Sequence, residues 1–65
     1  MIEDKLKLSN QEDLKHAMFL TDLTEIELEA IVGRKDGKLL GEVVTYQSGE
    51  VVIRELKTKK VLWRI

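Results

Sequence analysis

The sequence predicts an α+β domain in which an N-terminal helix precedes a four-stranded, strongly bent antiparallel sheet or partial small barrel. Three observations carry this expectation. A capped apolar stripe opens the chain, the turn signals Asp36-Gly37 and Ser48-Gly49 separate apolar runs, and Gly41 stands inside one of those runs. The 65 residues form one domain. A chain this short buries only roughly 60% of its unfolded surface and is marginal without a staple.

The helix is expected over about residues 9–20. Ser9 with Glu12 three residues on has the spacing of a capping box, which satisfies two backbone donors that a first turn leaves unpaired. Leu14, Ala17 and Met18 then fall at i, i+3 and i+4 and make an apolar stripe. Phe19 and Leu20 widen it, and Thr21-Asp22, poor helix formers, end it.

"TEIELEAIVGRKDG", residues 24–37, supports two readings. As a helix it has a capping box, Thr24 with Glu27, and a staple in Leu23 and Leu28. Its acidic residues sit near the positive end of the dipole, and Gly33 suits the position after a helix end. As a strand, Ile26, Leu28, Ala30 and Val32 share one face, with Glu25, Glu27, Glu29 and Ile31 on the other. Around a helix these apolar residues scatter among the glutamates. Burial of one continuous face usually outweighs a cap of about 1 kcal/mol, so the strand reading, over about 25–34, is preferred.

Asp36-Gly37 marks a hairpin, because Gly accepts the positive φ that tight turns demand. A turn there places Ala30 opposite Val43, Leu28 opposite Thr45 and Val32 opposite Gly41. Gly41 marks a bulge or bend. Further strands are expected over about 38–47, 50–56 and 60–65. The doublets Leu39-Leu40, Val43-Val44 and Val51-Val52 put apolar groups on both sheet faces. One face is then core, and the other is covered by the helix or a neighbouring subunit. The last strand, which contains Trp63 and stops at Ile65, is expected to leave an open edge.

Composition narrows the chemistry. With no Cys and a single His, disulfides, thiolate metal sites and a His-based zinc cluster within the chain are excluded. Self-association remains as the staple, so a homo-oligomer is expected. No apolar run reaches the ~20 residues of a membrane span. The acidic start lacks an export signal's apolar core, so a cytoplasmic location is expected. The net charge of −1 hides an asymmetry: residues 1–29 hold three Lys against eight Asp/Glu, whereas residues 48–65 hold five Lys/Arg against two Glu. An acidic front and a basic tail suit a polyanion partner, internal neutralisation or head-to-tail packing of subunits.

The order helix, strand, glycine-bearing bent strand, strand, strand resembles the Sm-like family, with the bacterial Hfq-type RNA chaperones nearest. "TEIELEAIVG" is similar to their first strand, "LLGEVVTY" to the bent second strand, and "VLWRI" to the strand bearing their Tyr-Lys-His signature. Gln47 stands where the family has aspartate, and Ser48-Gly49 where it has a base-stacking aromatic. Trp63, Arg64 and Ile65 occupy the signature positions, and the family's fifth strand has no counterpart. The resemblance therefore implies an RNA contact at Arg64 alone. The spacing "GRKDGKLLGEVV" with "VVIREL" also resembles SH3-like and KOW-type barrels, which bind RNA or protein. Under the helical reading, "DLTEIELEAIVG" is instead similar to the end of a leader from ribosomally made modified peptides. Arg34 stands where such leaders carry their second glycine.

No catalytic constellation is visible: His16 lies off the apolar stripe, and Asp36 is a turn former. Neither an enzyme nor a cofactor is expected. Candidate nucleic-acid contacts are Lys35, Lys38, Arg54, Lys57, Lys59, Lys60 and Arg64, which crowd the first hairpin and the last loop and would bind phosphates. Tyr46 and Trp63 are the available stacking platforms, although in so small a domain both are more often core. Candidate interface residues are Val61, Trp63 and Ile65. The leading expectation is a non-catalytic, self-associating small-barrel module that contacts RNA or another polyanion. The alternative is a protein-interaction or regulatory module that uses the sheet edge and has no nucleic-acid role.

Overall fold

A computed structural model of the chain describes residues 3–65; Met1 and Ile2 of the acidic start lie outside the described residues. The elements run β1 (Glu3–Lys7), α1 (Gln11–Thr21), α2 (Glu25–Val32), β2 (Arg34–Lys35), β3 (Lys38–Leu39), β4 (Gly41–Tyr46), β5 (Val51–Glu55) and β6 (Val61–Arg64). Four strands form an antiparallel sheet in the order β1-β4-β5-β6, and β2 and β3 make a separate two-stranded ribbon. The fold is α+β. The sheet does not close into a barrel, since β1 and β6 stand at opposite edges.

The first helix follows its apolar stripe, with Leu14, Ala17 and Thr21 buried. Its cap is one residue later than the capping-box spacing suggests. Asn10, not Ser9, is extended at the N-cap, and its side-chain oxygen accepts from the backbone N–H groups of Glu12 and Asp13 at 3.0 and 3.4 Å. Asp22, in the left-handed region at φ 60°, ends the helix, its N–H donating to Met18 O at 2.9 Å.

The expected strand over 25–34 is a helix, α2, and this is the main correction. Both halves of the capping box form: Thr24 Oγ1 accepts from Glu27 N at 3.2 Å, and Glu27 Oε1 accepts from Thr24 N at 2.9 Å. Only Leu28 and Val32, one turn apart, are buried. A helix this short needs no broad stripe, so Ile26 stays 80% exposed. The pairings predicted for a strand here fall with it. Leu6, not Ala30, lies opposite Val43, and Asp4, not Leu28, lies opposite Thr45. β1 takes the place assigned to residues 25–34. It escaped the sequence reading because Leu6 is the one apolar residue in "EDKLK".

The remaining expectations fare better. Arg34 pairs with Leu39 and Lys35 with Lys38, leaving Asp36 and Gly37 as a two-residue turn at φ 53° and 78°. Both central residues are left-handed, as a type I′ hairpin turn requires. The strand expected over 38–47 is interrupted at Leu40 and continues from Gly41. Here the glycine is required by contact: a Cβ on it would stand 2.4 Å from Val32 Cγ1. The last turn of α2 thus rests directly on the β4 backbone.

Paired strands share faces. Leu6, Val43, Ile53 and Trp63 form a row on the helix-facing side. With Val51 below and Leu8, Leu14, Ala17, Leu28, Val32 and Leu39 above, they make the core. The opposite face carries the row Lys5, Val44, Val52 and Arg64, beside Lys7, Glu42 and Arg54. Val44 and Val52 are fully buried there. Long charged side chains with apolar stems ring them, so the second face of the sheet is covered within one chain.

Candidate interaction surfaces

Three surfaces could engage a partner: the outer sheet face, a cleft between two loops, and the β6 edge. Glu42 sits at the centre of the first, its side chain 3% exposed. Its register partner Arg54 donates from Nε and Nη2 to Glu42 Oε2 at 2.9 and 2.6 Å. Lys59, left-handed at φ 63°, brings its Nζ to 3.4 Å from both carboxylate oxygens. A carboxylate this buried needs such partners, since an unpaired buried charge costs several kcal/mol. The cluster ties β4 to β5 and to the turn that leads into β6.

This arrangement divides the predicted phosphate contacts. Arg54 and Lys59 are committed to Glu42, and Arg64 Nε lies 3.0 Å from Glu50 Oε2. No ion pair engages Lys35, Lys38, Lys57 or Lys60 among the described residues. Arg34 is held by Glu25 and Glu29 at 2.8 and 3.2 Å. The Glu25 hydrogen bond is the main reason its pKa is raised.

The first hairpin and the β5–β6 turn do lie at one end of the molecule. Leu56 N donates to Leu40 O at 3.2 Å and joins them. Between them opens a cleft of about 510 Å³ with Leu39, Leu40 and Leu56 in its lining and Lys35, Lys38 and Lys57 at its rim. Asp36 and Glu55 also line it and offset much of the cationic character. Glu55 is a turn-holding group: its Oε1 accepts from the N–H groups of Lys57 and Thr58 and from the Thr58 hydroxyl. The Thr58 backbone bond leads the causes that lower its pKa. Lys60 does not line this cleft.

The third surface is β6. Val61, Leu62 and Ile65 are exposed large apolar residues, with Ile65 at 68%. Trp63 is half-buried and packs against the core, opposite Ile53. The predicted interface trio therefore divides into one core-anchored and two exposed residues. Leu62, missed as an individual site, joins the exposed pair. The open edge expected for this strand is present, since β6 ends the strand order, but nothing in "VLWRI" marks which of its apolar residues the pairing would skip. A register shift between Ile53 and Arg54 lets β6 skip Leu62 in the pairing.

Tyr46 is half-buried on β4. Exposed His16 lines a separate groove of about 290 Å³ with Asp4, Leu6, Leu20 and Thr45. Among the described residues no group of three His, Asp or Glu side chains could hold a metal ion, and no helix is long and apolar enough to cross a membrane. Comparison of the chain with protein-family models, curated proteins and solved structures found no significant match.

Proposed function

We propose that this chain is a non-catalytic protein-interaction module that accepts an extended segment of another polypeptide along β6. The observation carrying this reading is the run of exposed apolar residues Val61, Leu62 and Ile65 on an edge strand, anchored by half-buried Trp63. An edge strand presents unpaired backbone donors and acceptors, and strand addition draws affinity from them and specificity from the flanking side chains. The test is a titration of the isotope-labelled chain with short strand-forming peptides. Amide shifts concentrated at residues 61–65 are expected; shifts elsewhere, or none, would remove this reading.

The second reading is a self-associating small-barrel module of Sm/SH3-like type that contacts RNA or another polyanion. What favours it is the convergence of Lys35, Lys38 and Lys57 on one cleft. It rests on fewer cations than the sequence offers, because Arg54, Lys59 and Arg64 already hold carboxylate partners. Binding of a single-stranded RNA oligomer that falls steeply with salt and is lost in Lys35→Glu/Lys38→Glu/Lys57→Glu would support it.

A further inference from the structure

The β6 edge has different chemistry on its two sides, and this restricts what could lie beside it. Trp63 pairs with Ile53 and so belongs to the helix-facing side, where α2 packs across β6. Ile65 N donates to Val51 O at 3.1 Å, which places Ile65 on that same apolar side. Arg64 pairs with Val52 and belongs to the outer side, where exposed Val61, paired with Arg54, precedes it. In an antiparallel ladder, residues alternate between facing their partner strand and facing away. With Ile65 bonded inward to β5, the N–H and C=O of Arg64 point outward, available to an incoming strand.

We infer that the strand received at β6 is a segment alternating between acidic and apolar residues. Its apolar side chains would stack beside Trp63 and Ile65, and its carboxylates beside Arg64, with Lys59 and Lys60 at the start of the strand. This rests on the reading that β6 accepts a strand, and adds the partner's chemistry. Lys60 has no ion pair among the described residues and is the cation ready for a carboxylate. Arg64, 61% exposed, and Lys59, 51% exposed, already face Glu50 and Glu42, so an incoming carboxylate would share them with those residues.

A second copy of this chain fits less well. Two β6 strands side by side would bring Lys59, Lys60 and Arg64 of both copies together, and like charges across a ladder are destabilising. Presenting β1 instead would place Lys7, which shares the face of Glu42, on the same side as Arg64. Charge complementarity therefore points to a foreign acidic strand.

Three seven-residue peptides, alternating Glu with Val, Lys with Val, and Thr with Val, would be titrated into the full chain. Emission from Trp63, the only tryptophan, reports on the site, with amide shifts of residues 61–65 in parallel. The Glu/Val peptide is expected to bind about tenfold more tightly than the Thr/Val peptide, with the advantage shrinking as salt screens the charges. Lys60→Glu/Arg64→Glu, checked for retained circular dichroism, should reverse the order in favour of Lys/Val. Equal binding of all three peptides at residues 61–65 would overturn the acidic partner while leaving strand acceptance intact. No response from any peptide would overturn both. Sedimentation showing that the chain pairs with itself through β6, lost in Leu62→Lys, would replace the foreign strand with a second copy and overturn the inference.

Discussion

The two edges of the sheet are built from opposite materials. β1 is charged at four of its five positions and inserts only Leu6 into the core row, whereas β6 leaves Val61 and Leu62 exposed and is followed by exposed Ile65. Charged edges are a common defence against unwanted pairing, because a neighbouring strand would have to desolvate them. β1 has that defence; β6 has only its bulge and flanking cations. The two edges are alike in lying at the ends of the strand order and differ in the side chains along them. What distinguishes β6 is apolar surface on an edge strand whose inner side is already anchored by Trp63.

The largest expected effect tests whether the edges share one support. Gly41→Val would drive a side chain into Val32 and the carbonyl of Arg54, so α2 must lift from the sheet. A loss of about 3 kcal/mol is expected, since overpacked cores relax poorly. Chemical denaturation measures it, and an unchanged midpoint would contradict the direct contact between α2 and β4. Next, Glu42→Ala leaves Arg54 largely buried without its carboxylate. The cost is expected to be about 2 kcal/mol, below that of a fully enclosed pair because the cations can reach water. Hydrogen exchange should then accelerate along β6 more than along β1, because the cluster reaches the β5–β6 turn and not the opposite edge. Uniform acceleration would show that the two edges are not separately supported.

Smaller effects follow. Thr24→Ala removes one arm of the capping box and should cost about 1 kcal/mol, read as a lower melting temperature with the edges unaffected relative to each other. Exchanging edge character sharpens the comparison most directly. Leu62→Lys should change stability by no more than about 0.5 kcal/mol yet abolish peptide-induced shifts at β6. The smallest effect is a pH dependence near the β5–β6 turn. Glu55 has a pKa lowered from 4.5 by the hydrogen bonds of Thr58 and Lys57. The folded value lies below the unfolded one, so its contribution is present above about pH 4.5 and fades as pH falls through the folded value. Amide exchange at Lys57 and Thr58 should rise in that acidic window and stay level in Glu55→Gln.

Much of this architecture could be read from local signals. The stripe of Leu14, Ala17 and Met18 fixed α1, and Asp36-Gly37 and Ser48-Gly49 placed their turns. Residues 25–32 could not be settled locally, because two rules met there. Thr24 and Glu27 encode a helix start, while the alternation of Glu25 to Ile31 encodes a strand. The cap prevailed because β1 supplied the row beside β4, so the alternating segment had no sheet position left to fill. That substitution is a long-range fact, carried by Leu6 alone. The candidate surfaces follow the same division. The lysines were visible as residues, but which of them Glu42 and Glu50 would neutralise depended on strand register.

The capping box at Thr24 has a consequence beyond helix stability. Residues 25–31, read as a ribbon, are themselves an alternation of glutamates with aliphatic side chains. If β6 takes a strand of that description, a chain whose second helix has melted carries a competitor for the foreign strand, which a folded second copy does not. Two hydrogen bonds at one helix start would then separate a self-contained molecule from one able to thread into its neighbours, and anything that loosens Thr24 would favour the second.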